Sequence, residues 1–217
     1  MEENELVALV RPFRGPVFPS CLISNVGQSH HPMSPLTVLP EAVLRDYFRA
    51  KDESRPHLLD RVFDEEVVLE VRNGSSTITF PAITQGRGAV GRVLVGDFTR
   101  TYENIYSFYM SRPGHALASF GCGWLVVMTE RGSGDVRVGH GRYDWEFAST
   151  PPCLVKRLVI TISAMSVFAP HTAELALAWV RTLSYPWSSR MEVLRSPPDI
   201  PGLAPLLQGV DGAASVA

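Results

Sequence analysis

Residues 40–71, PEAVLRDYFRAKDESRPHLLDRVFDEEVVLEV, contain the pattern that decides the fold of this chain. Pro40 and Glu41 suit the first turn of a helix, because proline leaves no N–H unpaired there and the helix dipole favours a carboxylate. The apolar and aromatic residues that follow recur at helical spacing and share one face: Val43, Leu44, Tyr47 and Phe48. This pattern predicts a helix from Pro40 to Lys51.

The second half of the stretch predicts a short helix followed by a strand. The helix covers about residues 56–63 and turns inward Leu58, Leu59, Val62 and Phe63. An acidic turn, residues 64–66, leads into residues 67–71, a run rich in β-branched side chains that is typical of a strand. Residues 75–80 are the candidate hairpin partner of that strand, with the turn near Asn73-Gly74.

Beyond this stretch the sequence predicts a further helix and then an antiparallel sheet. The helix runs from about Gly88 to Arg100. Strand-like runs follow on short turns: Asn104 to Met110, Ala118 to Thr129, Val136 to Phe147 and Leu154 to Phe168. A last helix is predicted from Thr172 to Leu183. Helices that precede a curved antiparallel sheet define an α+β fold in which the helices cover one face.

Both ends of the chain differ in composition from its middle. Residues 1–37 are interrupted by prolines, which break helices and strand ladders, so they predict an irregular N-terminal arm. Residues 191–217 predict a Pro/Gly-rich tail, in which three leucines are able to dock on a surface: Leu203, Leu206 and Leu207. The main domain is therefore expected at residues 38–190.

Composition and charge exclude several classes of protein. The 217 residues are 45% hydrophobic and carry 20 Lys and Arg against 22 Asp and Glu, a net charge of −2, which suits one domain with an apolar core. No block of one charge sign is present, so neither nucleic acid nor an anionic membrane surface is expected as a partner. The acidic start of the chain and the lack of an apolar run of about 18 residues predict a cytoplasmic protein without a membrane span.

Cysteine and histidine usage predicts neither disulfides nor a metal centre. The three cysteines have no C-x-x-C spacing. The histidines have no clustered carboxylate or thiolate that would complete a metal site. We therefore expect a chain without metal and without a cofactor.

The opening stretch resembles the beginning of the nuclear transport factor 2 (NTF2) superfamily. The residues that carry the resemblance are Arg45 to Asp52 and, after a short break, Leu58 to Glu70. Gly86 to Val90 and the long strands then follow in the family's order. The resemblance covers about Val38 to Phe168 and identifies a SnoaL-like domain, within a superfamily that includes polyketide cyclases, ketosteroid isomerases and limonene epoxide hydrolases.

The resemblance implies a cone-shaped, curved antiparallel sheet wrapped around a long N-terminal helix, with the helices on the concave side. It implies a pocket between sheet and helix that binds an apolar small molecule, and a homodimer formed through the outer face of the sheet. An ungapped alignment with ketosteroid isomerases places Tyr47 where those enzymes hydrogen-bond a developing enolate oxygen. The same alignment places Val71 where they carry a general-base Asp, and neighbouring Glu70 points to the opposite face.

The strand at residues 139–147 leaves two sites open, depending on which of its faces lines the pocket. Tyr143, Trp145 and Phe147 share one face, and the other face carries His140, Arg142, Asp144 and Glu146. With the aromatic face inside, Tyr143 lies opposite Tyr47 and the polar row lies near the dimer seam, which is the version we favour. With the polar face inside, Arg142 and Asp144 are able to activate water, as in epoxide hydrolysis.

The segment Gly86 to Gly91 satisfies G-x-G-x-x-G, a pattern typical of dinucleotide-binding loops. The surrounding sequence does not support such a site, because Pro81 interrupts the strand before it and no further βαβ units follow. We interpret these residues as a glycine-rich helix start.

The residues thus predict a binding site but do not specify a reaction. The candidate catalytic residues are Tyr47, Tyr143 and Asp144, and the candidate ligand-binding residues are Phe63, Trp124 and Trp145. The leading hypothesis is a domain that binds an apolar small molecule, either as a binding protein or as a cofactor-free isomerase, cyclase or dehydratase. The alternatives are a dimerisation module whose cavity is filled by aromatic side chains, and the water-activating site at Arg142 and Asp144.

Overall fold

Helix α1, Pro40–Asp52, opens the part of the chain that the computed structural model describes, residues 39–114 and 118–216. The predicted apolar face is almost completely buried: Val43, Leu44, Tyr47 and Phe48. A short 3-10 helix, Pro56–Arg61, follows and buries Leu58 and Leu59. The predicted N-terminal arm lies outside the described residues.

The strands form a curved, mixed sheet. They are β1 Phe63–Asn73, β2 Ile83–Gln85, β3 Tyr102–Tyr109, β4 Ser119–Glu130, β5 Val136–Phe147, β6 Val155–Phe168 and β7 Ala214–Val216. Six of them lie in the order β2-β1-β6-β5-β4-β3, and β7 pairs with β4. The predicted α+β fold with a curved sheet is confirmed, and β3 to β6 form the expected antiparallel meander. One pairing differs from a purely antiparallel sheet, because β1 runs parallel to β6.

The sequence predicts residues 75–80 as the hairpin partner of β1, and that prediction is wrong. Strand β1 pairs with β2 instead, with Leu69 opposite Thr84. Side-chain hydrogen bonds hold residues 75–80 in an irregular loop: the Asn73 carboxamide accepts from the Ser75 N–H at 3.0 Å, and the Thr77 hydroxyl donates to the Met165 carbonyl at 2.9 Å. Such local bonds compete with a strand ladder.

The helix predicted at residues 88–100 is present as one helical stretch, residues 87–101. It consists of α2, Arg87–Gly91, a π-helical segment, Arg92–Asp97, and α3, Phe98–Thr101. Together with α1 it packs against the same side of the sheet, which we call the inner face. The helices therefore enclose space between themselves and the inner face.

A glycine in β5 permits the bend of the sheet. The register between β5 and β6 shifts between His140 and Gly141. A Cβ atom on Gly141 would lie 1.9 Å from the Thr161 carbonyl oxygen and 2.8 Å from the Trp124 ring. Only glycine allows this close approach of the Thr161 carbonyl and the Trp124 ring.

The opposite side of the sheet, the outer face, is covered by the chain's own C-terminal helices. These are α4 Ala173–Val180, α5 Arg190–Arg195 and α6 Leu203–Gln208. The outer cluster joins sheet residues to helix residues, among them Leu125, Val127, Val136, Val138, Val180, Val193, Leu203 and Leu207. Leu203 and Leu207 are completely buried, so these tail leucines dock on the sheet. The domain boundary at residue 190 stays a prediction.

Candidate functional site

Helix α1 and the inner face of β5 bring two tyrosines together. Tyr47 is completely buried and Tyr143 is 5% exposed. Their ring centroids lie 6.0 Å apart with the rings nearly perpendicular, a favourable edge-to-face arrangement. Helix spacing points Tyr47 inward, and strand alternation points Tyr143 toward it. The two tyrosines of the predicted site therefore face one interior.

Both tyrosines line a cavity between the helices and the inner face. Its volume is about 50 Å³ and its walls are mostly apolar, formed in large part by Val71, Leu94, Val126, Met128, Ile160 and Met165. Trp124 also lines it. The volume is smaller than the roughly 150 Å³ of an apolar cavity that holds benzene. The cavity thus suits a very small occupant, or a larger one if a wall moves.

One wall of the cavity separates it from a second pocket. Ile78, Phe80 and Phe98 line both, and the second pocket has a volume of about 190 Å³. The Phe80 and Phe98 rings stack with centroids 6.2 Å apart. These two rings therefore lie beside both the cavity and the second pocket.

The Tyr47 hydroxyl is buried and makes no hydrogen bond. Its polar neighbour is the Tyr143 hydroxyl, which lowers the Tyr47 pKa, but burial outweighs that effect and raises the pKa well above 10.0. Burial, followed by the neighbouring Tyr47, raises the pKa of Tyr143 as well. Both phenols are therefore neutral hydrogen-bond donors at neutral pH. An unpartnered buried donor costs free energy that an acceptor on a ligand would recover.

A buried charged group beside the cavity was missed in the sequence. Lys51, one helical turn after Tyr47, is 5% exposed and lines the cavity. Its ammonium donates to Asp52 Oδ1 at 2.7 Å and to the Ser107 hydroxyl. The Phe48 and Phe98 ring centroids lie 5.5 and 5.2 Å from its Nζ, within the range of cation–π attraction.

Asp52 links this lysine to the edge of the molecule. Its carboxylate accepts the Ser107 N–H and the Ser107 hydroxyl, each at 2.8 Å, and the Tyr185 hydroxyl at 3.3 Å. Tyr185 is 44% exposed. A hydrogen-bonded path thus runs from the cavity through Lys51 and Asp52 to solvent. The signal that could have found Lys51 is its spacing of four residues from Tyr47 on one helix face.

The predicted apolar walls are only partly at the cavity. Phe63 and Trp145 pack directly on the Tyr47 ring, with centroids 5.9 and 5.0 Å away. The ring of Tyr47 fills the space between them and the cavity, so they fix its orientation instead of lining the cavity. Trp124 is the one of the three predicted ligand-binding residues that lines it.

The polar row of β5 lies on the outer face, which corrects the inclusion of Asp144 among the catalytic candidates. Asp144 accepts from Arg142 at 3.0 Å, and Arg142 also donates to Asp211 at 3.2 Å. The His140 imidazole lies against Gly209. The water-activating alternative required Arg142 and Asp144 inside, so it has no site here. The C-terminal residues also cover part of the surface where the dimer seam was expected.

Among the described residues, none that lines the cavity is a carboxylate or imidazole base. Val71 lines the cavity at the position of the isomerase base. Glu70 points outward and accepts from Arg72 at 2.8 Å and Arg157 at 2.7 Å. Burial raises the pKa of the Cys122 thiol to about 12, so it stays protonated and is a poor nucleophile.

The glycine-rich segment is a helix start, as interpreted from the sequence. Gly86 precedes α2 with a φ of +81°, a left-handed conformation that glycine adopts without strain. Strand β2 before it is antiparallel to β1, so the parallel βαβ unit of a dinucleotide site is not formed here. No helix in residues 39–114 or 118–216 is long and apolar enough to cross a membrane.

Comparisons with known proteins address the fold. No protein-family model and no curated protein matches the chain. Similar solved structures include an NTF2-like superfamily protein of Salmonella enterica serovar Typhimurium, with 13% identity, a TM-score of 0.47, and coverage of 57% of this chain and 88% of the other. A hexachlorocyclohexane dehydrochlorinase of Novosphingobium barchaimii has 10% identity, a TM-score of 0.46, and coverage of 58% and 86%. A computationally designed 17-OHP binder has 14% identity, a TM-score of 0.44, and coverage of 58% and 95%.

The architecture is the one that the resemblance implied. A long first helix and a second helical stretch lie against the inner face of a curved sheet, and a cavity lies between them. The NTF2-like proteins among the similar solved structures are what this chain is similar to. At these identities and TM-scores the solved structures carry no argument about function, so the function must come from the site.

Proposed function

We propose that this chain binds a small, mainly apolar molecule in the cavity between α1, residues 87–101 and the inner face of the sheet. The observation that carries the proposal is the Tyr47 hydroxyl, a buried donor without a partner at an otherwise apolar cavity. A ligand oxygen placed there would accept its hydrogen bond, and the apolar walls would bury the remainder of the ligand. Binding sites of this kind obtain affinity from apolar area and orientation from a few polar groups.

The site favours a neutral ligand over an anion. Burial is the main cause of the raised pKa of Tyr47 and Tyr143, and the negative charge of Asp52 raises both pKa values further, so the surroundings disfavour negative charge at the phenol oxygens. The positive charge of Lys51 is offset by Asp52 at 2.7 Å. A ketone, aldehyde, ether or ester oxygen fits these surroundings, whereas a carboxylate would lose its hydration without a free counter-ion.

Binding is supported more directly than catalysis by a carboxylate base. The described residues that line the cavity include no Asp, Glu or His. The proton transfers of an isomerase need a base within hydrogen-bond reach of the substrate. Filling of the cavity by aromatic side chains alone, as in a dimerisation module, would leave the Tyr47 hydroxyl permanently unpaired.

A ligand series of matched shape tests the proposal. Cyclopentanone, cyclopentane and cyclopentanecarboxylate share one ring and differ in their polar group. Thermal shift and tryptophan fluorescence should rank cyclopentanone first, because it alone combines an apolar ring with a neutral acceptor. Equal stabilisation by all three, or preference for the carboxylate, would contradict the proposed site.

Assembly and location stay predictions. Light scattering on the full chain tests the homodimer expected from the resemblance. Since the chain's own C-terminal residues contact Arg142 and His140, a dimer would need a different surface from the one first expected. The cytoplasmic location rests on the sequence alone.

A further inference from the structure

Lysine is rare in this chain, and one of its lysines is buried beside the cavity. Of the 20 Lys and Arg residues, only Lys51 and Lys156 are lysine. Lys156 is exposed on β6, and Lys51 is 5% exposed. Lysine differs from arginine in that its amine can lose a proton and act as a nucleophile. The chemistry available to Lys51 is therefore distinct from that of the arginines on the surface.

The surroundings of Lys51 supply the partners that such chemistry needs. Asp52 Oδ1, 2.7 Å from Nζ, is placed to take a proton from the ammonium. The Tyr185 hydroxyl connects the same carboxylate to solvent. Tyr47, on the same helix face, carries an unpartnered hydroxyl that is able to donate to an oxygen in the cavity. An amine, a proton acceptor and a phenol thus border one apolar cavity.

We propose that Lys51 forms a reversible imine with the carbonyl carbon of a small apolar aldehyde or ketone bound in this cavity. The proposal rests on the proposed function, since the carbonyl compound must first occupy the cavity. It narrows the ligand class from neutral oxygen compounds to carbonyl compounds, and it gives Lys51 a covalent role.

The step balances without an oxidant or reductant. One ammonium proton passes to Asp52, the amine lone pair forms a C–N bond, and the electron pair of the C=O π bond moves to the oxygen. The oxygen takes that proton from Asp52, and the nitrogen then gives a second proton to Asp52, which leaves a neutral carbinolamine. The hydroxyl group takes this second proton and leaves as water, and the nitrogen lone pair forms the C=N bond. The net change is ammonium plus carbonyl to iminium plus water, so the positive charge stays at the same place. Phe48 and Phe98, which face the ammonium, would face the iminium in the same way.

Reductive trapping tests this directly. The full chain is incubated with butanal and sodium cyanoborohydride, and the modified residues are located by peptide mass spectrometry. Lys156 and the terminal amine serve as internal controls for unassisted reaction. We expect Lys51 to be alkylated at least about tenfold faster than Lys156, a small part of the advantage that a bound neighbouring reactant provides. Cyclopentanone in excess should replace the butyl label on Lys51 by a cyclopentyl label, and cyclopentanecarboxylate should leave the butyl label unchanged.

Two variants and a binding measurement separate the possible failures. Lys51→Arg keeps the charge and Lys51→Met keeps an unbranched stem of similar length, and circular dichroism checks that each folds. Both should still show labelling at Lys156. Butanal that stabilises the wild-type chain against heat but labels Lys51 no faster than Lys156 would overturn the imine and leave the proposed function standing. Absence of any stabilisation by butanal and by cyclopentanone would overturn both.

Discussion

The two faces of the sheet are formed by the same strands but are packed in different ways. On the outer face, aliphatic residues of β4 and β5 pack against the chain's own C-terminal helices. Salt bridges such as that between Arg142 and Asp211 connect the strand to the C-terminal segment. The inner face packs aromatic rings around Tyr47 and leaves a cavity. The packing of the outer face therefore stabilises the fold, whereas the inner face leaves a cavity beside its polar groups.

The polar atoms of the two faces show the same difference. Among the described residues, the buried side-chain atoms without a hydrogen bond include four in the inner cluster: Tyr47 Oη and the indole nitrogens of Trp124, Trp145 and Trp187. Unpaired buried donors reduce stability. These unpaired donors lie on the inner face and reduce the stability of the folded chain. Tyr47 and Trp124 lie at the cavity, where hydrogen bonds to a ligand would restore part of that stability.

The largest effect is expected from Asp52→Ala at the polar end of the inner face. The side chains of Lys51 and Asp52 are 6% and 4% exposed, so the substitution leaves a buried ammonium without its counter-ion. Urea unfolding should show a loss of about 3–5 kcal/mol. Asp97→Ala, which removes the exposed partner of Arg100, is the control and should cost less than about 1 kcal/mol. Equal losses would mean that the Lys51 pair is solvated.

A second large effect is expected on the outer face. Leu203→Ala removes a completely buried side chain of α6 and should reduce the free energy of unfolding by about 2–5 kcal/mol. Leu175→Ala, at a position that is 53% exposed on α4, is the matched control and should be close to neutral. A neutral Leu203→Ala would show that the C-terminal segment is not part of the folded core.

A pair of tyrosine variants separates binding from stability. Tyr109 donates to the Leu44 carbonyl at 3.0 Å, so Tyr109→Phe should cost about 1 kcal/mol of unfolding free energy. Tyr47→Phe removes an unpartnered hydroxyl and should leave the ligand-free stability unchanged or slightly higher. It should instead weaken cyclopentanone binding by about 1–3 kcal/mol. Unchanged affinity in Tyr47→Phe would remove the tyrosine from the binding site.

The smallest expected effect is a pH dependence of the free energy of unfolding, caused by His140 on the outer face. Burial lowers the pKa of His140 below 6.5, so the unfolded chain takes up the proton more readily than the folded chain. The free energy of unfolding should therefore fall as the pH drops below 6.5. In His140→Gln this part of the pH dependence should disappear, as measured by urea unfolding at pH 7.5 and 5.5. An equally steep dependence in the variant would assign it to other groups.

The sequence predicted the inner face better than the outer one. Helix periodicity in α1 and strict alternation in β5 specify direction locally, so Tyr47 and Tyr143 were both aimed inward from the sequence. The tail after residue 190 carries no comparable periodicity, because its helices are only six residues long. The packing of these helices depends on a strand that is distant in the sequence, where Gly123 permits a close approach of Asp211. No local sequence pattern predicts such a contact.

The burial of the polar end of the site could not be predicted for a related reason. Lys51 appears in the sequence as an ordinary basic residue in the last turn of a helix, where the dipole favours it. Its burial depends on Ser107 and Asp52 meeting across 55 residues of chain. The prediction of Asp144 as a catalytic residue failed for a different reason. Strand alternation correctly placed Asp144 on the face opposite to Tyr143, and only the chemistry of its carboxylate made it a candidate.

Methionine methyl groups offer the most direct test that a ligand enters the cavity between helices and sheet. Met128 and Met165 line the cavity, Met110 belongs to the outer cluster, and Met191 is 74% exposed. In an NMR titration of isotope-labelled methionine methyl groups with cyclopentanone, the signals of Met128 and Met165 should shift and saturate together, while those of Met110 and Met191 stay in place. Shifts confined to Met110 or Met191, or no shift at any of the four, would contradict the proposed site.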